Sequence, residues 1–270
     1  MMSLATYRDK EYKMSAGSDL EGKVALITGG GGGFGRAIAK AYADAGARVI
    51  ITDARESGKV VADEVCGNFI MADLSDMEAT RELCLQAIEK EGGVDILVNN
   101  AGLQHIAPVE DFPDDDWARL VQIMLVAPFQ LTKYVVPGMK ERGWGRIINL
   151  SSIHGLVASP FKSAYVSAKH GLIGLTRTVA LEVGEFGITV NAICPGYSNT
   201  PLVQSQIADQ ARTRGISETD VIEKVMLEPA AIKRLVEPDE IASLALYLAS
   251  EGARSVTGAA ISIDAGWTAR

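Results

Sequence analysis

The sequence predicts an α/β protein with a single doubly wound domain on a seven-stranded parallel sheet. Three observations carry that reading. Short apolar runs alternate with longer stretches of helical spacing, a glycine-rich turn follows the first run, and no linker or composition break divides the 270 residues. Residues 1–20 are polar and read as a flexible N-terminal arm, leaving 21–270 as the domain. The runs are Val24–Thr28, Arg48–Thr52, Asn68–Met71, Val94–Val98, Arg146–Leu150, Thr189–Ile193 and Ala260–Ile263. Each is predominantly apolar rather than alternating, the pattern of strands covered on both faces. Between the first two, Ala37, Ile38, Ala41, Tyr42 and Ala45 recur at helical spacing, and Gly46 supplies the stop. Roughly Thr200 to Pro229 breaks the alternation. It is helix-like, follows a strand end, and sits where a helical lid over a site would sit.

Composition excludes several classes of function. Hydrophobic residues make up 47% and charged residues 22%, ordinary globular values that argue against disorder. A formal net charge of −8 offers no basic field for nucleic acid or an anionic membrane. No run approaches the ~18 apolar residues of a membrane span. Cys66, Cys84 and Cys194 are far apart with no CxxC, which predicts neither a disulfide framework nor a metal site and favours a reducing compartment. Arg8, Lys10, Glu11 and Lys13 mark a charged leader without an apolar signal core, so the expected location is cytoplasmic.

The first strand ends at Thr28, followed by Gly29 to Gly33, Phe34 and Gly35, with a helix expected to open at Arg36. Glycines let the backbone turn sharply and approach a pyrophosphate, while the helix N-terminus offers free N–H groups and a positive dipole end. A glycine-rich turn can be merely flexible. Its place between first strand and first helix makes it a dinucleotide-binding, Rossmann-type turn. The second strand ends in Asp53, whose carboxylate can accept both ribose hydroxyls of NAD and would repel the 2′-phosphate of NADP. The alternative role for Asp53 is a helix N-cap, and Arg55 nearby weakens the preference. NAD is the expected cofactor.

Tyr165 and Lys169 are four residues apart, which on a helix stacks their side chains about 6 Å apart along the axis. An ammonium there would favour phenolate and lower the tyrosine pKa from about 10. Ser152, at the end of the Arg146–Leu150 strand, could steady a substrate oxygen that gains or loses a proton. Alone, a Tyr-x-x-x-Lys pair is more often surface decoration.

Taken together, TGGGGGFG at 28–35, Asp73-Leu74, NNAG at 99–102, Ser152, YVSAK at 165–169 and Pro195-Gly196 resemble the short-chain dehydrogenase/reductase family over nearly all of residues 22–267. The resemblance implies hydride transfer between a nicotinamide and a substrate carbinol or carbonyl carbon. It makes Tyr165 the acid/base, with Ser152 beside it and Lys169 both tuning it and holding the nicotinamide ribose. It places Asp73 and Leu74 by the adenine, Asn100, Ala101 and Gly102 along the cofactor, and Pro195, Gly196 and Thr200 by the nicotinamide, with Gly29, Gly33, Phe34 and Gly35 in the phosphate turn. It also implies a homotetramer. One departure stands out: where the family has an Asn seven residues after the Trp of the fourth helix, Trp117 leads to Met124. A thioether is only a weak acceptor and has no proton to donate, so the proton relay is in doubt. Gln122 is nearby but on a regular helix points elsewhere, and Pro128 makes an irregular helix plausible.

Within the family, AGLQHIAPVEDFP from Ala101, WGRIINLSSIHGLV from Trp144, KSAYVSAKHG from Lys162, AICPGYSNTPLVQSQI from Ala192 and the terminal AGWTAR resemble the D-3-hydroxybutyrate dehydrogenase branch. That likeness implies a small carboxylate substrate held by Gln104, His154, Lys162 and Gln206 beside Ser152 and Tyr165, with Trp267 closing the pocket. Each also has a plainer reading: Lys162 as a solvated helix start, His154 bonded to a backbone carbonyl, Gln104 tying down its loop, Trp267 anchoring an interface. Tyr197 stands where the branch usually has Trp, and Arg212 and Arg214 in the lid could attract an anion or simply be solvated. The expected reaction is NAD-dependent oxidation of a short 3-hydroxy acid. A reductase for a 3-oxoacyl thioester or sugar-like alcohol, and a weakly catalytic nicotinamide-binding module, are the alternatives.

Overall fold

A computed structural model describes residues 20–269. Residues 1–19 of the expected arm lie outside the described residues, but Leu20 is buried in the core and its N–H donates to the Ala45 carbonyl (3.2 Å). The domain therefore already includes Leu20.

The predicted strands all form: β1 (Val24–Thr28), β2 (Arg48–Asp53), β3 (Asn68–Met71), β4 (Ile96–Asn99), β5 (Gly145–Leu150), β6 (Ile188–Pro195) and β7 (Ala260–Ile263). They make one parallel sheet in the order β3-β2-β1-β4-β5-β6-β7. The order reverses direction between β1 and β4, so a crevice opens at the carboxyl ends of those two strands. β6 runs two residues beyond its expected end because Cys194 and Pro195 pair with Ser262 and Ile263 of β7.

Helices α1 (Gly33–Asp44), α2 (Ser57–Glu64), α3 (Met77–Glu91), α4 (Asp114–Val121), α5 (Ala127–Arg142), α6 (Ser163–Val183), α7 (Pro201–Arg214), α8 (Glu218–Asp220) and α9 (Pro238–Ala249) connect and cover the strands. The apolar faces make two cores, one on each side of the sheet. Leu26, Leu97, Leu131 and Ala168 belong to one, and Ile27, Val98, Ile38 and Leu248 to the other. Residues alternating along one strand thus supply opposite cores. α1 opens at Gly33, three residues before the expected Arg36, so the last glycines of the turn already belong to the helix.

Gln122–Val126 joins α4 to α5 as a π-helical turn, the irregularity that Pro128 foreshadows. By length and composition the resulting helix, Asp114–Arg142, could pass as a membrane span with mean hydropathy 1.3, contrary to the reading of the sequence. Half of its apolar window is buried inside the domain, where α5 packs on α3, β4 and β5. The apolarity is that of a core helix.

The segment expected as a lid is helical. It comprises α7, α8 and a second π-helical stretch, Val221–Leu227, with a small core of Ile207, Val221 and Met226 against Ile153 and Tyr197. Its base is tied to the body where Asn199 N–H donates to Val236 O (3.0 Å) and Val236 N–H to Tyr197 O (3.0 Å).

Candidate active site

The crevice is stitched at its floor. Thr28 Oγ1 accepts the N–H groups of Asn100 (2.9 Å) and Ala101 (3.0 Å), and the Asn100 amide donates to Thr28 O (2.8 Å) and Gly29 O (3.0 Å). This lock brings the ends of β1 and β4 so close that a Cβ on Gly29 would lie 2.8 Å from Ala101 Cα, and the turn itself is so tight that one on Gly35 would lie 2.4 Å from Gly29 O. Gly29 also has a φ of 62°, a conformation that glycine adopts without strain. The N-terminus of α1 has no side-chain cap and no acidic residue in its first turn, so free N–H groups and the dipole are left for an anion.

Asp53 is 8% exposed, and its Oδ2 accepts the Gly31 N–H (3.1 Å) while Oδ1 accepts the Arg55 backbone N–H (3.1 Å) and Nε (3.4 Å). The cap position of α2 belongs to Glu56, so the helix-cap alternative for Asp53 is not what forms. Asp73 Oδ1 accepts the Ser75 N–H (2.9 Å) and hydroxyl (2.8 Å), bonds that hold its carboxyl below the usual range. The Leu74 side chain is in the core. These groups fit a dinucleotide: a tight backbone cradle for pyrophosphate, with a carboxylate at the neighbouring strand end.

Past β5, Ser152 caps the short turn Ile153–Gly155, its Oγ accepting the His154 N–H (3.0 Å). Tyr165 and Lys169 stand one turn apart on α6, as their spacing requires. Lys169 is buried, its Nζ donates to Leu150 O (2.6 Å), and it lies 5.6 Å from the Tyr165 ring centroid. Burial pushes the Lys169 ammonium down to about 8. The expected lowering of Tyr165 by that ammonium does not appear. Burial pushes the phenol upward, and the opposing pull comes from a hydrogen bond with Ser152. Desolvation of the phenol outweighs what the ammonium, 5.6 Å from the ring centroid, can supply.

A cavity of about 70 Å³ lies between these residues and α7, lined among others by Gln104, Ser152, His154, Lys162, Tyr165, Pro195, Gly196, Tyr197, Thr200 and Gln206. Thr200 caps α7 and stands beside Gly33, where a Cβ would lie 3.6 Å from Thr200 Cγ2. Lys162 is 2% exposed, so it is not the solvated residue of its plainer reading, and its Nζ lies 5.3 Å from the Tyr197 ring centroid. Burial, helped by the charge of Arg214, pushes the Lys162 ammonium down to about 8. Burial likewise pushes His154 down to about 3, so its ring is neutral. Neither ring nitrogen of His154 has a well-formed hydrogen bond, the Val157 backbone offering only a weak one. Gln206 Nε2 donates to Leu202 O (2.9 Å), and Gln104 Oε1 accepts the His105 N–H (3.1 Å). Trp267 stands behind the cavity, edge-on to His154 (6.0 Å) and Tyr197 (6.3 Å), its indole N–H buried without a partner.

A sequence profile described as enoyl-(acyl carrier protein) reductase matches residues 30–268. The chain belongs to the short-chain dehydrogenase/reductase family. It is 49% identical over 256 residues to a D-beta-hydroxybutyrate dehydrogenase of Rhizobium meliloti, covering 92% of this chain and 99% of the relative. It is 45% identical over 257 residues to a protein of the same name from Cupriavidus necator, covering 93% and 100%. Among solved structures, an actinorhodin polyketide ketoreductase with NADPH aligns with a TM-score of 0.87 at 31% identity, over 93% of this chain and 98% of that one. The family and the dehydrogenase names of these relatives make the protein an oxidoreductase.

Met124 occupies the family's asparagine position inside the π-helical turn, and it is buried in the core, with its Sδ 3.4 Å from where a Gly102 Cβ would be. Gln122 turns away, donating to Leu74 O (3.5 Å), so neither side chain serves Lys169. Sequence reasoning did not pick out Gln210 or Ser163, both carrying buried, unpartnered polar atoms. It also left Arg212 and Arg214 equivalent. The structure separates them: Arg212 is 74% exposed and pairs with Asp209, while Arg214 turns toward Phe161. The four-residue interval from Gln206 was the available signal.

Proposed function

We propose that the protein oxidises a short 3-hydroxy acid, D-3-hydroxybutyrate first among them, to the 3-oxo acid with NAD. The observation that carries this reading is Lys162, a buried cation on the wall of a small cavity shared with Ser152 and Tyr165. A buried ammonium without a carboxylate beside it favours an anionic ligand, and Gln206 and neutral His154 add polar groups around the same space. A thioester or neutral alcohol would leave that charge uncompensated. Names at 45–49% identity over nearly the whole chain support the same substrate.

When bound, the nicotinamide would take the hydride from the carbinol carbon. Tyr165 takes the hydroxyl proton, and Ser152 hydrogen-bonds the same oxygen as its charge develops. Lys169, fixed by Leu150 O, sits where it can hold the ribose. Gln104, His154, Lys162 and Gln206 orient the carboxylate, and closure of the 200–229 segment excludes water. The preference for NAD rests on Asp53, whose carboxylate faces the glycine turn through Gly31. Asp53→Ser is expected to narrow the NAD-to-NADP ratio of kcat/KM at least ten-fold.

We also propose a cytoplasmic homotetramer. Leu181 on α6 is 88% exposed, and Phe129 on α5 is exposed too, apolar surface that suits packing against a second copy. Sedimentation velocity tests the assembly. The deciding assay for function compares initial rates with NAD on D-3-hydroxybutyrate, its L-isomer, longer 3-hydroxy acids and the methyl ester. Turnover of the D-acid with failure of the ester is expected. Preference for the ester, or no turnover of any hydroxy acid, rejects the substrate assignment.

A further inference from the structure

Gln206, Gln210 and Arg214 recur at four-residue intervals on α7, so they share one face over about 12 Å of helix axis. Gln206 lines the cavity. Gln210 is 1% exposed, yet neither atom of its amide has a hydrogen-bond partner. The Nε of Arg214 is also buried without a partner, and its guanidinium lies over the Phe161 ring, 5.7 Å from the centroid. Phe161 has a φ of 68°, strained for a bulky residue, and its carbonyl accepts the Ala107 N–H (3.1 Å). Strain of this kind persists where the surroundings fix it, and here it sets the ring under Arg214, one residue before the cavity-lining Lys162.

Among the described residues neither Lys162 nor Arg214 pairs with a carboxylate, whereas Arg212 on the opposite side of the helix does. Lys162 lines the cavity and Arg214 lies behind it on the ring of the adjacent Phe161, so two like charges stand near one another without a carboxylate partner among the described residues. Gln210 adds an orphaned donor, which burial makes costly unless a ligand or water completes it.

We propose that Arg214 is a second cation of the substrate site, and that with Gln210 it makes the inner end of that site selective for a carboxylate over its neutral amide or ester. This extends the proposed function and depends on it only for the identity of the acid. A guanidinium braced on an aromatic ring presents a fixed fork that matches carboxylate geometry, which a mobile ammonium does not. The Arg214 charge also disfavours the charged form of Lys162, so the anion that relieves their repulsion gains from both.

The test is calorimetric titration of the NADH-loaded protein with butyrate and with butyramide. Wild type is set beside Arg214→Gln, Arg214→Lys and, as a solvated-charge control, Arg212→Gln. Arg214→Gln is expected to weaken butyrate roughly ten-fold or more while butyramide and NADH stay within about two-fold. Arg214→Lys should recover part of the loss, and Arg212→Gln should match wild type. Unchanged melting temperatures exclude unfolding, and Arg214→Lys keeps the question open to test should Arg214→Gln fold poorly. Butyrate binding unaffected by Arg214→Gln, equal losses for butyrate and butyramide, or a wild type that does not bind butyrate would each overturn the inference. A protein that binds butyrate through Arg214 yet oxidises no 3-hydroxy acid would instead overturn the proposed function and leave this site standing.

Discussion

The two ends of the crevice are built on opposite principles. At the cofactor end, Thr28, Asn100, Asp53 and the glycine turn satisfy one another through short hydrogen bonds, and close backbone approach fixes the cradle without any ligand. At the substrate end, polar groups are buried and left waiting. Of eleven buried side-chain atoms without hydrogen-bond partners among the described residues, seven belong to His154, Ser163, Gln210, Arg214 and Trp267. One end is preorganised by its own contacts. The other is organised around chemistry that the substrate brings, which is where selectivity for an anion can arise.

The sharpest way to break this comparison is to remove the group between the two ends. Tyr165→Phe should lower turnover about 10³-fold while the NADH dissociation constant, read by fluorescence titration, stays within about two-fold. Loss of NADH binding in parallel would mean that the two ends are not separable. Next in size, Lys162→Met should raise KM for the acid roughly 10- to 100-fold with little change for neutral substrates. Gly35→Ala attacks the preorganised end: its Cβ would meet Gly29 O at 2.4 Å, so thermal unfolding should show a loss of about 2 kcal/mol together with weaker NADH binding.

A pH series sharpens the contrast further. With Lys162 pushed down to about 8, its ammonium is complete below that value and is lost as pH rises through it. Butyrate binding should therefore weaken above about pH 8 in wild type and stay flat in Lys162→Arg, whereas NADH binding should not follow that limb. The same shift links to stability: between about 8 and 10.5 the unfolded chain holds the proton that folded Lys162 has released, so this residue's contribution to stability rises with pH across that window. The smallest expected effect concerns Met124. Met124→Asn should change turnover by no more than a few-fold and cost about 1–3 kcal/mol in stability, because it places an amide in the core beside Gly102. A large gain in turnover would show that a missing relay limits the rate.

The sequence by itself determined the fold, because strand identity rests on runs of apolar residues and turn identity on glycines, both local properties. Six of the seven strands began within one residue of their expected start and three matched at both ends, and the glycine turn, Ser152, Tyr165 and Lys169 stand where their motifs put them. What local pattern could not carry is charge state and direction. Lys162 reads either as a carboxylate anchor or as a solvated helix start until packing buries it, and the expected pull of Lys169 on Tyr165 gives way to burial, which pushes the phenol up against only the Ser152 hydrogen bond. Arg212 and Arg214 are equivalent on paper. Only the docking of α7 against Phe161 sends one to solvent and the other onto that ring, since the surroundings of a helix face depend on what the rest of the chain packs against it.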